Sequence, residues 1–166
     1  FIFLWPFEKS NAVKEVRVKK GQLIQRKGDF NSSIYQVQSG LLRSYTVDAK
    51  GKEHIFMFAP EGWIIADNVR PEKPCDLFID ALEDSIVIQK VKDFEAELEA
   101  LKIIKRLEVL QKRVIMLMSA SAIERYEHFI HTYPDIVQRV PQRMIASYLG
   151  ITPQALSTLR AEIARK

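Results

Sequence analysis

The sequence predicts an α+β protein: an antiparallel β-roll, then a long helix, then a small helix-turn-helix. Three observations carry this. Residues 13–90 are short β-branched and aromatic runs separated by glycine-containing turns. Residues 101–131 hold neither Gly nor Pro and repeat apolar residues at three-to-four spacing. The segment PQRMIASYLGITPQALSTLR, Pro141 to Arg160, keeps a helical rhythm on both sides of Gly150.

The β region opens with AVKEVRVKKG, which alternates up to Gly21. GQLIQRKGD, SIYQVQSGLLRSYTVDAKGKEHIFMF and SIVIQKV follow. Between these runs stand Lys27-Gly28-Asp29, Ser39-Gly40, Ala49-Lys50-Gly51 and Pro60-Glu61-Gly62. Glycine supplies the positive φ that tight turns need. Many short strands punctuated this regularly predict an antiparallel barrel or roll.

From Lys92 the rhythm changes. KDFEAELEA reads as a short acidic helical piece with Asp93 as its N-cap. A single helix is then expected from Leu101 to about His131, roughly 30 residues and about 45 Å long. Its stripe is Ile104, Leu107, Leu110/Gln111, Val114, Leu117/Met118 and Ser121. Such a stripe can lie on its own roll or pair with the same helix of a second chain. The sustained heptad-like seam favours pairing, so these residues are the expected homodimer interface. HTYPD ends the helix at Pro134. The expected organisation is 1–100 β-roll, 101–131 dimerisation helix and 132–166 helix-turn-helix, the last incomplete at its C-terminus.

Pro141 suits the first turn of a helix, where its missing N–H is not needed. Ile145, Ala146 and Leu149 define one face of two turns, and Gly150 stands where a left-handed C-terminal residue belongs. Ile151 fills the corner. Thr152 can cap a new helix with Pro153 at its first position. Leu156, Leu159 and Ile163 form that helix's inner face. Small Ala146, the turn glycine and the apolar positions have the spacing of a helix-turn-helix. The outward residues Thr152, Pro153, Gln154, Ser157, Thr158 and Arg160 should face the major groove. Gln154 can pair bidentately with adenine, and Ser157 and Thr158 can bond base edges or phosphate. Arg139, Gln142, Arg143 and Arg165 complete the expected DNA-facing set, with the arginines neutralising phosphate. An αα-corner that binds nothing is the bland alternative.

Composition is that of a globular chain: 47% hydrophobic, 28% charged, 166 residues. Residues 1–100 carry 14 Lys/Arg against 16 Asp/Glu, and residues 101–166 carry 11 against 5. The basic back half suggests a polyanion partner. No apolar run approaches the roughly 20 residues of a membrane span. FIFLWPFE has no basic leader and no cleavage site, so no signal peptide is expected. A cytoplasmic protein with no membrane partner is expected, and because the chain starts with Phe, residues upstream are expected to be missing. Cys75 is the single cysteine, which excludes an internal disulfide and a Cys-rich metal site within the chain. It is expected to be inert. His128 and His131 are three apart, but no carboxylate or Cys signal accompanies them, so no metal site is expected. The chain lacks a phosphate-cradling Gly-rich loop, paired carboxylates, GxSxG and HExxH, so it is not expected to be an enzyme.

The order of these parts resembles the cyclic-AMP receptor protein/FNR (Crp/Fnr) family of bacterial transcription regulators. The resemblance rests on VPQRMIASYLGITPQALSTLR and on the turns KGQLIQRKGD and QSGLLRSYTVDAKGKE. IASYLGIT looks most like the Bacteroidetes-type group. The resemblance implies a cyclic-nucleotide-binding-like β-roll, a homodimer on a two-half-site operator, a winged helix-turn-helix, double-stranded DNA as partner and RNA polymerase as a further one. It also implies an effector pocket in the roll, drawn from Trp63, Ile64, Ala66, Asp67, Arg70, Lys73, Cys75 and Asp76. Family members that bind cyclic nucleotides carry a Gly-Glu pair for the ribose and an Arg followed by a small residue for the phosphate. Here Trp63 follows Gly62, and Pro74-Cys75-Asp76 stands where Pro-Arg-Ala/Ser would stand. Asp76 would repel phosphate; Arg70 and Lys73 are nearby at a different spacing. Cyclic AMP is therefore not expected as ligand, no cofactor is expected, and any other small effector is unspecified. FNR-type oxygen sensing needs several cysteines, and His54 is a weak candidate for a haem ligand. Thr158 stands where many relatives have a guanine-reading Arg, so the operator should differ there. The rival reading is a β-roll ligand-binding or protein-interaction module that has lost DNA binding.

Overall fold

A computed structural model describes residues 13–92 and 100–165, with side chains from residue 107 onward in the second stretch. The chain forms two compact units that divide between residues 94 and 95.

The first unit is all β among its described residues. Its strands are β1 (Val13–Val18), β2 (Leu23–Gln25), β3 (Ser33–Ser39), β4 (Leu42–Val47), β5 (Glu53–Ala59), β6 (Ile64–Ala66), β7 (Phe78–Ala81) and β8 (Ser85–Val91). They make two four-stranded sheets, ordered β1-β8-β3-β6 and β2-β7-β4-β5. Every pairing is antiparallel. Strand alternation sends Val18, Tyr35, Val37, Leu42, Ala59, Ile65, Ile79, Ala81 and Val87 into one core, with Met57 and Trp63 packed against it. The β-roll read from the glycine-punctuated runs is thus the fold observed.

The chain passes from one sheet to the other at Gly40, between β3 and β4. Its φ is +90°, and a Cβ there would collide with Ser85 Oγ and stand 2.7 Å from the Asp84 carbonyl oxygen. Only glycine fits this crossing. Ser85 Oγ accepts from the Leu41 N–H at 3.2 Å and donates to the Glu83 carbonyl at 2.8 Å, which ties the corner together.

The second unit is helical: α1 (Ala100–Ser119), α2 (Ala122–Thr132), α3 (Ile136–Arg139), α4 (Gln142–Leu149) and α5 (Pro153–Ala164). The single helix expected from Leu101 to His131 is two helices. They part at Ala120–Ser121, where Ser121 turns to extended backbone and caps α2. The Ser121 hydroxyl accepts from the Glu124 N–H at 3.3 Å, and the Glu124 carboxylate accepts from the Ser121 N–H at 2.7 Å. This reciprocal capping box starts a new helix without Gly or Pro. The expected Asp93 cap lies outside the described residues.

α2, α4 and α5 pack around Tyr126, Phe129, Tyr133, Ile136, Ile145, Tyr148, Leu149, Leu156 and Leu159, all buried. Phe129, Tyr133 and Tyr148 form an aromatic knot with ring centroids 5.3–5.7 Å apart, in tilted and edge-on contacts that aromatic quadrupoles favour. Arg113 of α1 stacks over the Tyr148 ring at 4.4 Å.

Candidate nucleic-acid interface and effector pocket

The break and restart at Gly150 has the geometry of a helix-turn-helix. Gly150 adopts φ 69°, ψ 30°, the left-handed conformation in which Gly pays no Cβ penalty. Its N–H and that of Ile151 turn back onto the last carbonyls of α4, Ile151 bonding Ala146 at 3.0 Å. Thr152 is extended, and its hydroxyl accepts from the Ala155 N–H at 3.1 Å. Pro153 takes the first position of α5. Pro141 precedes α4 as its N-cap rather than entering its first turn.

Ile145, Ala146 and Leu149 are buried on α4, and Leu156 and Leu159 on α5. Ile163, expected on the same inner face, is exposed. The opposite face of α5 presents Pro153, Gln154, Ser157 and Thr158 to solvent, with Thr152 at its start and Arg160 half-buried beside them. Gln142 and Arg143 are exposed at the start of α4, Arg165 at the end of α5, and Arg139 is half-buried on α3. The outer face of α5 therefore holds donors and acceptors suited to base edges, with the N-terminus of the helix beside them.

The expected pairing stripe is open on α1. Leu107, Val114 and Leu117 are exposed and Met118 is 81% exposed. Gln111 is exposed and Leu110 half-buried. Val109 and Ile115 are also exposed, which widens the apolar surface beyond the sequence-predicted seam. Ile104 lies outside the residues whose side chains are described. Ser121 does not belong to the stripe: it stands past the end of α1 and caps α2.

The residues expected in an effector pocket divide into four groups. Trp63 packs against the roll core. Ile64 and Ala66 do not face that core: on β6 the inward place goes to Ile65, 1% exposed, and its neighbours point to the other face. Arg70 and Lys73 are exposed in a turn closed by a 3.0 Å bond from the Lys73 N–H to the Arg70 carbonyl.

Asp67, Cys75 and Asp76 come together. Asp67 is buried, and its Oδ2 accepts from the backbone N–H of Asp76 at 2.7 Å and of Leu77 at 2.8 Å. Two consecutive N–H groups aimed at one point make an anion seat, and here an internal carboxylate fills it. Cys75 is buried, and its backbone bonds Gly28 and Asp29 at 2.8 Å each. Burial, then the Asp67 charge, pushes the Cys75 thiol pKa up, away from the thiolate.

Sequence reasoning missed three bonded cations, Lys92 and Arg43 buried and Arg125 half-buried. Lys92 sends its ammonium to the Ser32 hydroxyl and to the carbonyls of Asp67 and Val69, which holds the start of the 67–77 loop. Arg43 on β4 bonds Asp80 on β7 and Glu53 on β5, and its guanidinium lies 4.1 Å from the Tyr45 ring centroid. Arg125 on α2 bonds only backbone carbonyls. The available signal was a charge inside an otherwise apolar run, as in GLLRSYTV. Among the described residues no group of three or more His, Cys, Asp or Glu is placed to hold a metal ion, and no helix is long and apolar enough to cross a membrane.

Residues 15–93 match the cyclic nucleotide-binding domain family. The chain is 25% identical over 163 residues to the anaerobic regulatory protein of Haemophilus influenzae, covering 86% of this chain and 63% of that protein. It is 26% identical over 163 residues to the regulatory protein HlyX of Actinobacillus pleuropneumoniae, covering 86% and 68%. The chain thus spans about two-thirds of the length of these relatives. FixK2 from Bradyrhizobium japonicum has the same fold at a TM-score of 0.74 and 19% identity, over 93% of this chain and 86% of that one. A CRP/FNR-family regulator from Thermus thermophilus matches at 0.67 and 17%, over 92% and 86%. A roll that matches this domain family, followed by helices and a helix-turn-helix, makes the chain similar in sequence to these regulators and the same in fold as the Crp/Fnr structures.

Proposed function

We propose that this chain is the greater part of a homodimeric, sequence-specific DNA-binding regulator that works without cyclic AMP. The observation that carries this is the outer face of α5. Gln154, Ser157 and Thr158 are exposed on a helix whose N-terminus is capped by Thr152 and whose inner face is locked by Leu156 and Leu159. The relatives are regulators by name, which supports a binding role over a catalytic one. The open apolar surface of α1 supports pairing with a second copy, giving two recognition helices on one duplex. Double-stranded DNA is the partner, RNA polymerase the further one, and the cytoplasm the compartment.

The case against cyclic AMP is chemical. The paired N–H groups of Asp76 and Leu77 already hold a carboxylate. A phosphate would have to displace Asp67 and then share the site with that charge. Arg70 and Lys73 are exposed rather than directed by bonds to this seat. A signal at the roll, from an effector of other chemistry or from a protein, would act by binding two dimer states unequally.

The test is selection of duplexes from a random DNA library by the purified protein, without added ligand, at moderate salt. The expected result is a two-half-site palindrome whose affinity falls steeply with salt. Replacing Gln154 or Arg160 by Ala should weaken it by roughly 1–3 kcal/mol per true base contact. No enrichment, with or without cell metabolites, would favour a roll module that has lost DNA binding. Micromolar binding of cyclic AMP by calorimetry would overturn the ligand reading.

A further inference from the structure

Three helix ends meet at one side chain. Arg125 lies in the second turn of α2. Its Nε donates to the Ala120 carbonyl at 3.1 Å, its Nη2 to the Leu117 carbonyl at 2.9 Å, and its Nη1 to the Leu149 carbonyl at 3.2 Å. Leu117 is in the last turn of α1, Ala120 is the residue that follows that helix, and Leu149 is the last residue of α4. The last carbonyls of a helix have no intrahelical partner and carry the negative end of its dipole. One guanidinium therefore serves the C-terminal ends of two helices while being rooted in a third. Its donors form a rigid planar fork, so three acceptors fix its position and, through it, theirs.

The covalent link cannot do this alone. Between α1 and α2 the chain is Ala120 and Ser121. The Ala120 N–H still bonds the Met116 carbonyl, and Ser121 is committed to capping α2. The capping box sets where α2 starts but makes no bond back to α1. Arg125 supplies that bond and extends it to α4, next to Gly150, where a Cβ would meet Nη1 at 3.8 Å. α4 carries α5 through the tight turn, so a change in the α1–α4 angle moves the outer face of α5.

We propose that Arg125 is a positioning residue for DNA recognition: it locks the angle between α1 and the helix-turn-helix and so sets the half-site spacing the dimer accepts. This rests on the reading of the chain as a dimeric DNA binder, so the test separates the two. The full chain, Arg125→Lys and Arg125→Met would be titrated on duplexes carrying the selected half-site pair at a series of spacings. Lys keeps a charge near the carbonyls but not the fork. The expected result is that Arg125→Met keeps single half-site binding and half-site sequence while its spacing preference flattens by about tenfold, within the ~5–150-fold range of coupling between sites. Arg125→Lys should restore part of it. A variant that merely unfolds would lose binding at every spacing. Arg125→Met with the parent's spacing optimum and width would overturn the proposal.

If the parent chain binds no duplex, the DNA reading fails and the lock is read directly. Spin labels at Glu108→Cys on α1 and Ser157→Cys on α5, in a Cys75→Ser background diluted with unlabelled chain, report that angle as a distance distribution. Broadening in Arg125→Met supports the lock; an unchanged distribution overturns it.

Discussion

Arg43 and Asp80 face each other across β4 and β7 and join through two hydrogen bonds, Nε to Oδ1 at 2.8 Å and Nη2 to Oδ2 at 3.0 Å. Both side chains are largely withdrawn from water, while Glu53, the second partner, keeps 45% of its side-chain surface exposed. Burial disfavours the Arg43 charge, yet the hydrogen bonds to Asp80 and then Glu53 outweigh it, so its pKa is raised. The guanidinium is held charged inside the sheet.

That pairing sets unequal penalties for its members. Asp80→Asn strips a buried cation of its main partner and should cost about 3–5 kcal/mol of stability. Glu53→Gln removes a half-solvated partner and should cost less than about 1 kcal/mol. Urea denaturation of both variants compares them. Equal losses would mean that Arg43 is held by its surroundings rather than by Asp80.

The helix-turn-helix was legible because its signals are local: Gly150, Thr152 and Pro153 each dictate their own backbone within a few residues. The roll was legible as a class for the same reason, since Gly40 and Gly62 punctuate it. Its internal pairing was not. Gln25, Ile79, Ser44 and Met57 share one row across a sheet, yet come from four separated segments. Arg43 inside GLLRSYTV announces a buried charge but not Asp80, 37 residues away. The α1–α2 break was missed because the apolar rhythm runs on through it, although Ser121 and Glu124 carry a capping-box spacing. For the effector loop, the sequence suggested Arg70 and Lys73 alongside Asp67 and Cys75; the fold exposes the two cations, buries Asp67 and Cys75, and adds Lys92, which residue type did not suggest.

Glycines that look alike in the sequence should respond differently to a single methyl group. Gly62 has φ +81° and nothing within 4 Å of the position an added methyl would take, so Gly62→Ala should cost only the left-handed penalty, about 1–2 kcal/mol. Gly40→Ala meets the same penalty and also drives its Cβ into the Asp84 carbonyl and Ser85. Thermal unfolding should show a clearly larger loss for Gly40→Ala. Equal shifts in Tm would show that the crossing between the sheets can widen at little cost.

Cys75 reports on the 67–77 loop. Its side chain is buried and its thiol pKa is raised, so a thiol-specific disulfide reagent should react slowly with the native protein and stoichiometrically after denaturation. Asp67→Ala leaves the Asp76 and Leu77 N–H groups without their acceptor, at about 1–3 kcal/mol. Local opening should rise by roughly ten- to a hundredfold, and Cys75 should react faster in proportion. Rapid reaction in the parent chain, or no acceleration in Asp67→Ala, would show that the carboxylate does not hold the loop closed.

The start of α2 should respond to acid through one carboxylate. The Glu124 pKa is lowered, first by the backbone N–H of Ser121 and then by its hydroxyl. Its folded value lies below its unfolded value, so between the two the unfolded chain binds more protons and stability rises with pH. The contribution is therefore complete above the unfolded value of about 4.3 and disappears as pH falls through the folded one. Glu124→Gln keeps an acceptor for the capping box but cannot titrate. Asp48 and Asp84 also have lowered values, through bonds to His54 and to the Lys20 N–H first, so the parent's own acid sensitivity is a sum. The difference in Tm between parent and Glu124→Gln cancels those other groups. It should be positive and flat near pH 7 and shrink toward pH 3. A difference that stays constant over that range would mean that the charge on Glu124 contributes nothing to the cap.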